Sequence, residues 1–214
     1  MRRLADGLYQ LRGFPPNAIN VYVLGDVLID AATRQGERRI MRELGGAPRL
    51  SAHALTHAHP DHQGSSHAIC ERLGIPLWCG EGDVAAMQTP GGVASGSGGW
   101  QTFVQRRFWT GPPHPVARVL REGDEVAGFR VLETPGHSPG HVAYWREGDR
   151  VLVLGDVLTN VNVLTGRPGP EAALHERLPT AARRGGDAAR RLHRGRVALA
   201  APQRDPQPLA DRVA

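Results

Sequence analysis

This 214-residue chain contains no lysine, and both cysteine and aromatic residues are scarce. Its two cysteines, Cys70 and Cys79, are too few for the disulfide framework of a secreted domain, so we expect reduced thiols. No run of 18 uncharged apolar residues occurs, and the first residues lack the apolar stretch of a secretory leader. These absences argue against a disulfide-stapled protein and a membrane-spanning protein. They predict a cytoplasmic protein without a membrane partner.

The excess positive charge is confined to one late segment. The chain has a formal net charge of +5, and the six Arg and one Asp between Arg183 and Arg196 account for all of it. No aromatic side chain is interleaved with these arginines, as the binding of single-stranded nucleic acid would require. A solvated face is therefore favoured over a phosphate-binding patch, and we expect no nucleic-acid partner.

The most informative stretch is Thr-His-Ala-His-Pro-Asp-His at residues 56–62, directly after a short apolar run. It places three imidazoles and a carboxylate within six residues, which are ligands for zinc and similar metals, and ordinary packing gives no reason for such a concentration. His57 and His59 are two residues apart, the side-chain period of an extended strand, so they can bind one ion together. Asp61 and His62 follow the proline and can reach the same ion or a second one beside it.

Two later positions have the setting of ligands supplied by distant parts of the chain. His137 lies in a turn rich in Gly and Pro that directly follows a predicted strand, and His141, at the start of the next strand, suits a supporting role. Asp156 ends an apolar strand, where a carboxylate is costly unless it is paired or metal-bound, and it is the best candidate for a bridging ligand. The remaining histidines lack such a setting and are expected to be hydrogen-bonded in the core or exposed to solvent: His53, His67, His114, His175 and His193.

Apolar periodicity and turn residues predict one domain over residues 1–214 with two pseudo-equivalent halves, 1–112 and 113–214. Predicted strands cover residues 8–11, 18–24, 27–30, 52–55, 76–78, 116–120, 129–133, 141–145 and 151–154. Predicted helices cover residues 37–44, 64–73 and 81–88. Because strands are followed by a helix in each half, we expect two packed sheets with helices outside.

Substrate specificity is expected to reside in regions that have no readable code. The Gly-rich segment 89–99 suits either a flap over a site or an inert surface loop. The four aromatic residues that follow within residues 100–109 are expected to anchor this loop, with the lining of a substrate entrance as the alternative. We expect a small-molecule substrate. No sequence pattern indicates the oligomeric state.

The order and spacing of these motifs, with His137 in Thr-Pro-Gly-His and Asp156 in Leu-Gly-Asp, resemble the metallo-β-lactamase superfamily over residues 5–165. The likeness is to its glyoxalase II-like and lactonase-like hydrolases. It implies an α/β fold, a four-layered αβ/βα sandwich with the metal site at one edge. It also implies a role for each candidate: His57, His59 and His137 as ligands of a first metal, Asp61 and His62 as ligands of a second, and Asp156 as the bridge.

One departure from the family pattern concerns the last ligand. The family pattern ends with a His after a late strand, whereas residues 196–206 of this chain supply the strand without the His. Occupancy of the second metal position is therefore left open. Asp30, at the end of its strand, matches a family position that supports the ligands from behind.

The tail after about residue 166 is atypical. Residues 167–204 are rich in Arg, Ala, Gly and Pro and contain no aromatic residue. We hypothesise that a compensated pair of frameshifts in a GC-rich gene, or a sequencing error, replaced the original segment. Resequencing of the gene tests this, and an intact, well-supported reading frame would contradict it.

The ligand set predicts an enzyme with one or two zinc ions, with iron or manganese as alternatives. Such an ion lowers the pKa of its water to about 7, which predicts hydrolysis of an ester, thioester, lactone or amide by a metal-activated hydroxide. Asp61 is the expected catalytic carboxylate, which orients the hydroxide and transfers its proton. Two alternatives stay open: a mononuclear iron enzyme resembling the persulfide dioxygenases, and an impaired metal-binding relative that lacks the last ligand. A nuclease is disfavoured, because superfamily nucleases usually carry an additional domain.

Overall fold

A computed structural model describes residues 1–13, 19–45, 49–90 and 107–157 and the backbone of residues 196–198. The strands are β1 (Arg2–Ala5), β2 (Leu8–Gln10), β3 (Tyr22–Leu24), β4 (Val27–Ile29), β5 (Ala52–Ala54), β6 (Leu77–Gly80), β7 (Val116–Leu120), β8 (Glu125–Val126), β9 (Phe129–Glu133), β10 (Val142–Arg146), β11 (Val151–Val153) and β12 (Arg196–Ala198). The α-helices are α1 (Glu37–Leu44), α2 (Pro60–Gln63), α3 (Ser66–Leu73) and α4 (Val84–Gln88). Short 3-10 turns occupy Arg34–Gly36, Glu81–Asp83 and Gly155–Val157.

The described strands form two sheets. The first has seven strands in the order β1 to β7, antiparallel from β1 to β4 and parallel from β4 to β7. The second has five strands in the order β12-β11-β10-β9-β8, antiparallel except for the parallel pair β11 and β12. Parallel strands place their carboxyl ends at one edge of a sheet, so the loops that follow β4, β5 and β6 meet there.

Three apolar clusters define the layers. One packs α1, α3 and α4 against the first sheet, through side chains such as Ile40, Ile69 and Met87. A second lies between the two sheets and includes Phe129 and Tyr144. A third covers the outer face of the second sheet. Among the described residues, the helical layer, the first sheet and the second sheet follow the order of the αβ/βα sandwich predicted from the sequence, and the fold prediction is confirmed.

Strand β3 shows why the first sheet occupies the middle of the molecule. Tyr22 and Leu24 face the second sheet, while Val23 between them faces the helices. Side chains alternate between the two faces of a strand, so a strand buried on both faces is apolar at every position. All three residues of β3 are accordingly buried.

Several element boundaries differ from the prediction. Strands β1 and β8 were not predicted, and the strand expected over residues 18–24 is confined to Tyr22–Leu24. The helix expected over residues 64–73 begins at Ser66, after a separate short helix, Pro60–Gln63. Between them, a Cβ atom at Gly64 would collide with the backbone of Arg34 and Trp109. Close packing of three chain segments therefore decides this boundary.

Three sequence-based predictions concern regions that the structure describes only in part or not at all. The Gly-rich loop from residue 91 onward, most of the aromatic segment and nearly all of the atypical tail lie outside the described residues. The division into pseudo-equivalent halves near residue 112 stays a prediction, although the first sheet extends to Leu120. Within the described part of the chain, no helix has the length and apolar character needed to cross a membrane.

Candidate metal centre

The histidine-rich stretch lies at the carboxyl end of the central strand β5. Strand β5 ends at Ala54, His59 still has an extended backbone, and Pro60 then occupies the first turn of helix α2. Proline suits this position because it has no N–H to leave unpaired and its backbone angle is already helical. The change from strand to helix holds His57 and His59 in the loop and places Asp61 and His62 on the helix.

Hydrogen bonds fix the protonation of His57. The Thr56 hydroxyl donates to Asp30 Oδ2 at 2.9 Å, so its oxygen is left to accept from His57 Nδ1–H at 3.1 Å. The other ring nitrogen, His57 Nε2, is buried and has no hydrogen-bond partner among the described residues. A buried ring nitrogen with a free lone pair is costly unless it binds something, and a metal ion satisfies it.

His57, His59 and His137 form the first group of ligand atoms. One nitrogen from each lies within 4.8 Å of the others. His59 Nδ1 and His137 Nε2 are 2.8 Å apart, although their residues are 78 positions apart in the chain. His137 comes from the turn between β9 and β10, so the second sheet supplies this ligand to the loop of the first.

His57, His62 and Asp156 form a second group within the same 4.8 Å limit. His62 Nδ1 donates to Asp30 Oδ2 at 2.9 Å, which leaves Nε2 facing Asp156 Oδ1 at 3.3 Å and Asp61 Oδ2 at 3.9 Å. Asp156 Oδ2 also lies 3.5 Å from His137 Nε2, so its two oxygens face the two groups. All six sequence-predicted site residues are thus brought to one place.

The electrostatics of the site favour neutral imidazoles on one side. Burial and the neighbouring imidazoles hold the pKa of His57 well below its ordinary value. Burial also lowers the pKa of His59, against the attraction of Asp61. Metals bind the neutral ring, so both side chains are in the binding form at neutral pH.

The other side of the site is rich in carboxylates. Burial opposes a positive charge on His62. The pKa of His62 is nevertheless raised well above its ordinary value by three nearby carboxylates, those of Asp156, Asp30 and Asp61. Burial raises the pKa of Asp61, while His62 outweighs burial at Asp156 and keeps the pKa of that carboxyl low. A cation, either a proton or a metal ion, therefore stabilises this cluster. The donor set and the unpaired His57 nitrogen together fit a metal centre.

His141 has no nitrogen left for a metal. Its Nε2 accepts from the backbone N–H of Asp156 at 3.1 Å, and its Nδ1 lies 2.8 Å from Thr134 Oγ1. Asp30 likewise stays behind the ligands and bonds to Thr56 and His62. Both residues hold the ligand loops in place, as their positions in the sequence suggested.

Asp83 was missed by the sequence analysis. It is 2% exposed, and its carboxylate accepts from Ala58 N and Ser138 Oγ, both at 2.8 Å, and from Gly140 N at 2.9 Å. It thereby ties the loop after β5 to the turn after β9. Its place just beyond β6, at the edge where the ligand loops meet, was the available signal.

Comparison with known proteins gives a family match over most of the chain. A family model described as metallo-beta-lactamase superfamily matches residues 14–204. An uncharacterised protein of Mycobacterium leprae is 32% identical over 163 residues, which are 69% of this chain and 72% of that protein. The probable metallo-hydrolase YflN of Bacillus subtilis is 30% identical over 152 residues, 63% of this chain and 56% of the relative.

A hydroxyacylglutathione hydrolase of Rhodospirillum rubrum is 33% identical over 107 residues, which cover 48% of this chain and 32% of that enzyme. This chain therefore spans only part of the length of several relatives that it matches.

Solved structures agree with the fold. The protein TTHA1623 in a di-iron-bound form is 26% identical with a TM-score of 0.59, covering 92% of this chain and 87% of that one. The class B3 di-zinc metallo-β-lactamase LRA-12 from an Alaskan soil metagenome is 16% identical with a TM-score of 0.65, and the match covers 94% of this chain and 77% of that one. At that identity, the second likeness concerns the fold alone.

Proposed function

The chain belongs to the metallo-β-lactamase superfamily, and from this premise we propose that it is a metal-dependent hydrolase of a small-molecule ester, thioester, lactone or amide. The observation that carries the proposal is the convergence of two three-ligand groups on the buried, unpaired His57 Nε2. The names of relatives, a probable metallo-hydrolase and a hydroxyacylglutathione hydrolase, support the same reaction class.

Six side chains would hold the metal. The proposed ligands are His57, His59 and His137 for a first ion, Asp61 and His62 for a second, and Asp156 between them. When bound, zinc or a similar ion lowers the pKa of a water to about 7 and polarises a substrate carbonyl. Zinc is the first choice for this donor set, and iron is the alternative that one structural relative suggests.

Asp61 is the proposed catalytic carboxylate. Burial raises its pKa above the ordinary value, so it is a stronger base than an exposed aspartate. Its Oδ2 lies 3.9 Å from His62 Nε2, at the border of the two ligand groups. From there it would orient the attacking water and accept its proton.

Metal stoichiometry is proposed to be asymmetric. Residues 196–206 supply the late strand of the family pattern without its final His. The first ion would keep three imidazoles, whereas the second would rely on His62 and two carboxylates. We therefore expect the second ion to bind more weakly.

The preferred substrate class is a thioester. The name of one relative, hydroxyacylglutathione hydrolase, describes hydrolysis of a glutathione thioester. The ligand motifs that this chain shares with the superfamily fit that chemistry. A small-molecule substrate and a cytoplasmic location are part of this proposal.

The test combines metal analysis with hydrolysis assays on the purified chain. We expect at least one metal ion per chain by mass spectrometry, and turnover of a 2-hydroxyacyl glutathione thioester, or else of a lactone, ester or amide in the same panel. Chelation should reduce turnover at least about 100-fold, and zinc should restore it. Asp61→Asn should lower kcat about 100-fold or more, whereas Glu125→Gln, an exposed change in the second sheet, should not.

Two results would overturn the proposal. A single ferrous ion with oxygen uptake on a persulfide and no hydrolysis would establish an oxygenase instead. A fully metal-loaded chain without turnover across the whole panel would establish a binding protein that has lost catalysis.

A further inference from the structure

A further group of metal-binding side chains lies apart from the candidate metal centre. Among the described residues, ligand atoms of His67, Glu71 and His114 lie within 4.8 Å of one another. None of these residues belongs to the motifs of the family. From the sequence, both histidines were expected to be hydrogen-bonded in the core or exposed to solvent.

Helix α3 supplies two of the three side chains. His67 and Glu71 are four residues apart on this helix, so they lie on one face, one turn apart. Neither residue is needed to fill the apolar core beneath the helix, which is made by Ile69 and Cys70.

His114 approaches from the extended segment that leads into strand β7. Its backbone N–H donates to Met87 O at 2.8 Å, which fixes the segment against the end of helix α4. Its Nδ1 lies 3.2 Å from His67 Nδ1 and 3.8 Å from Glu71 Oε1. The two rings meet edge to face, with centroids 5.3 Å apart.

These spacings are close to those of a zinc site. Ligand atoms about 2.0–2.1 Å from a tetrahedral ion are roughly 3.3 Å from one another. The His67–His114 nitrogen distance of 3.2 Å already matches. The Glu71 side chain is 65% exposed, so a small rotation can bring its oxygen the remaining distance.

The protonation of the cluster also suits a metal. Burial and the nearby His67 lower the pKa of His114, so its ring is neutral at neutral pH. Two imidazoles that face each other through Nδ1 can both present a lone pair to an ion beside the Glu71 carboxylate when each ring carries its proton on Nε2. The exposed side of Glu71 gives access for an ion and for water as the fourth ligand.

We propose that His67, Glu71 and His114 form a separate site for zinc or a similar divalent first-row metal ion. The site joins helix α3 to the segment before β7, which lies 40 or more residues further along the chain. An ion bound there stabilises the contact between the helical layer and the last strand of the first sheet. The site takes no part in the proposed hydrolysis.

The experiment counts zinc on the whole protein at buffered free zinc concentrations that saturate the candidate metal centre. The wild-type chain should hold one more ion than His67→Gln or Glu71→Gln, by mass spectrometry and by titration calorimetry. Both variants should keep the hydrolytic turnover of the wild type. The Glu125→Gln control, which removes an exposed carboxylate from the other sheet, should keep the extra ion.

A spectroscopic measurement supports the count. Cobalt substituted into the wild-type chain should show an additional set of tetrahedral visible absorption bands that both variants lose. Glu71 is exposed, so Glu71→Gln should fold even if His67→Gln proves unstable. Equal zinc counts and equal cobalt spectra for the wild type and Glu71→Gln would overturn the proposal and leave a hydrogen-bonded histidine pair. Because the readouts are stoichiometry and spectra, they remain decisive even if the proposed hydrolysis is not found.

Discussion

The carboxylate of Asp30 determines the hydrogen bonding of two neighbouring site residues. It accepts from Thr56 N at 2.8 Å, from Thr56 Oγ1 at 2.9 Å and from His62 Nδ1 at 2.9 Å. Its backbone has a φ of 60°, a left-handed conformation that Asp and Asn tolerate better than other side chains except glycine. One buried residue thus sets the tautomer of His62 directly and that of His57 through the Thr56 hydroxyl.

His53 is the residue with the clearest expected effect of pH on stability. Its Nδ1 donates to Leu28 O and its Nε2 lies 2.8 Å from Ser66 Oγ. Burial lowers its pKa from 6.5 to about 4; the hydrogen bond to Leu28 O and the charge of Asp30 oppose the shift, and His114 assists it. Between these pKa values the unfolded chain binds a proton that the folded chain does not, so stability is complete above about pH 6.5 and falls as the pH is lowered towards 4.

We therefore expect the metal-free protein to lose about 2 kcal/mol of unfolding free energy through His53 between pH 7.5 and pH 5.0. Urea unfolding at the two pH values measures the loss. His53→Gln, which keeps one donor and one acceptor but does not titrate, should show a pH dependence smaller by that amount. Equal pH dependences for the two chains would show that His53 is not the group responsible.

At the scale of elements, the site depends on how closely the ligand loops pack. Gly80, the last residue of β6, and Gly82, just beyond it, face the backbone of the turn between β9 and β10, where an added Cβ would collide with Gly140 and Pro139 respectively. This close approach allows Asp83 to reach backbone groups of both loops. Asp83 is therefore a positioning residue, which acts on the metal through His57, His59 and His137.

Removal of the Asp83 carboxylate should weaken metal binding as well as stability. Asp83→Ala leaves the buried N–H groups of Ala58 and Gly140 unpaired, at a cost of about 1–3 kcal/mol each. Zinc affinity of the candidate metal centre should fall about 10–100-fold. The zinc affinity of Asp83→Asn, which retains an acceptor, should lie between that of the wild type and that of Asp83→Ala.

A chelator competition assay and urea unfolding measure the two effects of Asp83→Ala separately. The matched control is Asp124→Asn, which removes the charge of a carboxylate that accepts a backbone N–H in a more exposed turn. Unchanged zinc affinity in a destabilised Asp83→Ala chain would reduce Asp83 to a purely structural role.

For the whole molecule, the candidate metal centre joins the two halves of the sandwich. His57, His59 and His62 follow β5 of the first sheet, while His137 and Asp156 follow β9 and β11 of the second. An ion bound by both sets is a further bond between sheets that also meet through apolar contacts and through the hydrogen bonds of Asp83. Metal binding to the folded chain alone should therefore raise the stability of the whole sandwich.

The unfolding free energy should rise by about 2.7 kcal/mol when free zinc exceeds the dissociation constant 100-fold. Urea unfolding of the His67→Gln chain, with zinc or with a chelator, isolates the candidate metal centre from the further proposed site. The added change His137→Gln should remove most of the shift. A midpoint that does not respond to zinc would mean that the ion does not link the sheets.

The atypical tail after about residue 166 also concerns the molecule as a whole. The family match reaches residue 204, yet residues 158–195 and 199–214 lie outside the described residues. The frameshift hypothesis and the missing final ligand therefore stay predictions, and resequencing remains the test of the first.

Much of the fold was predictable because its signals are local. Helix α1 has the bounds that its apolar spacing predicted, and the carboxyl-terminal end of α3 was set by Gly74, which adopts a left-handed conformation. Strands β1 and β8 escaped prediction because they are exposed or short and obtain their hydrogen bonds from neighbours. Their sequences alone carry too few apolar residues to be distinguished from loops.

The sequence by itself pointed to metal chemistry at residues 57–62 and named every proposed ligand of the candidate metal centre, because metal ligands are a rare combination of side chains at a fixed short spacing. Tertiary structure alone decided which distant groups meet: Asp83 with Ser138, 55 residues apart, and His67 with His114, 47 residues apart. The physical reason is that such contacts depend on the order of strands in the sheets and on the close approach of loops. Neither of these leaves a periodic pattern in the chain.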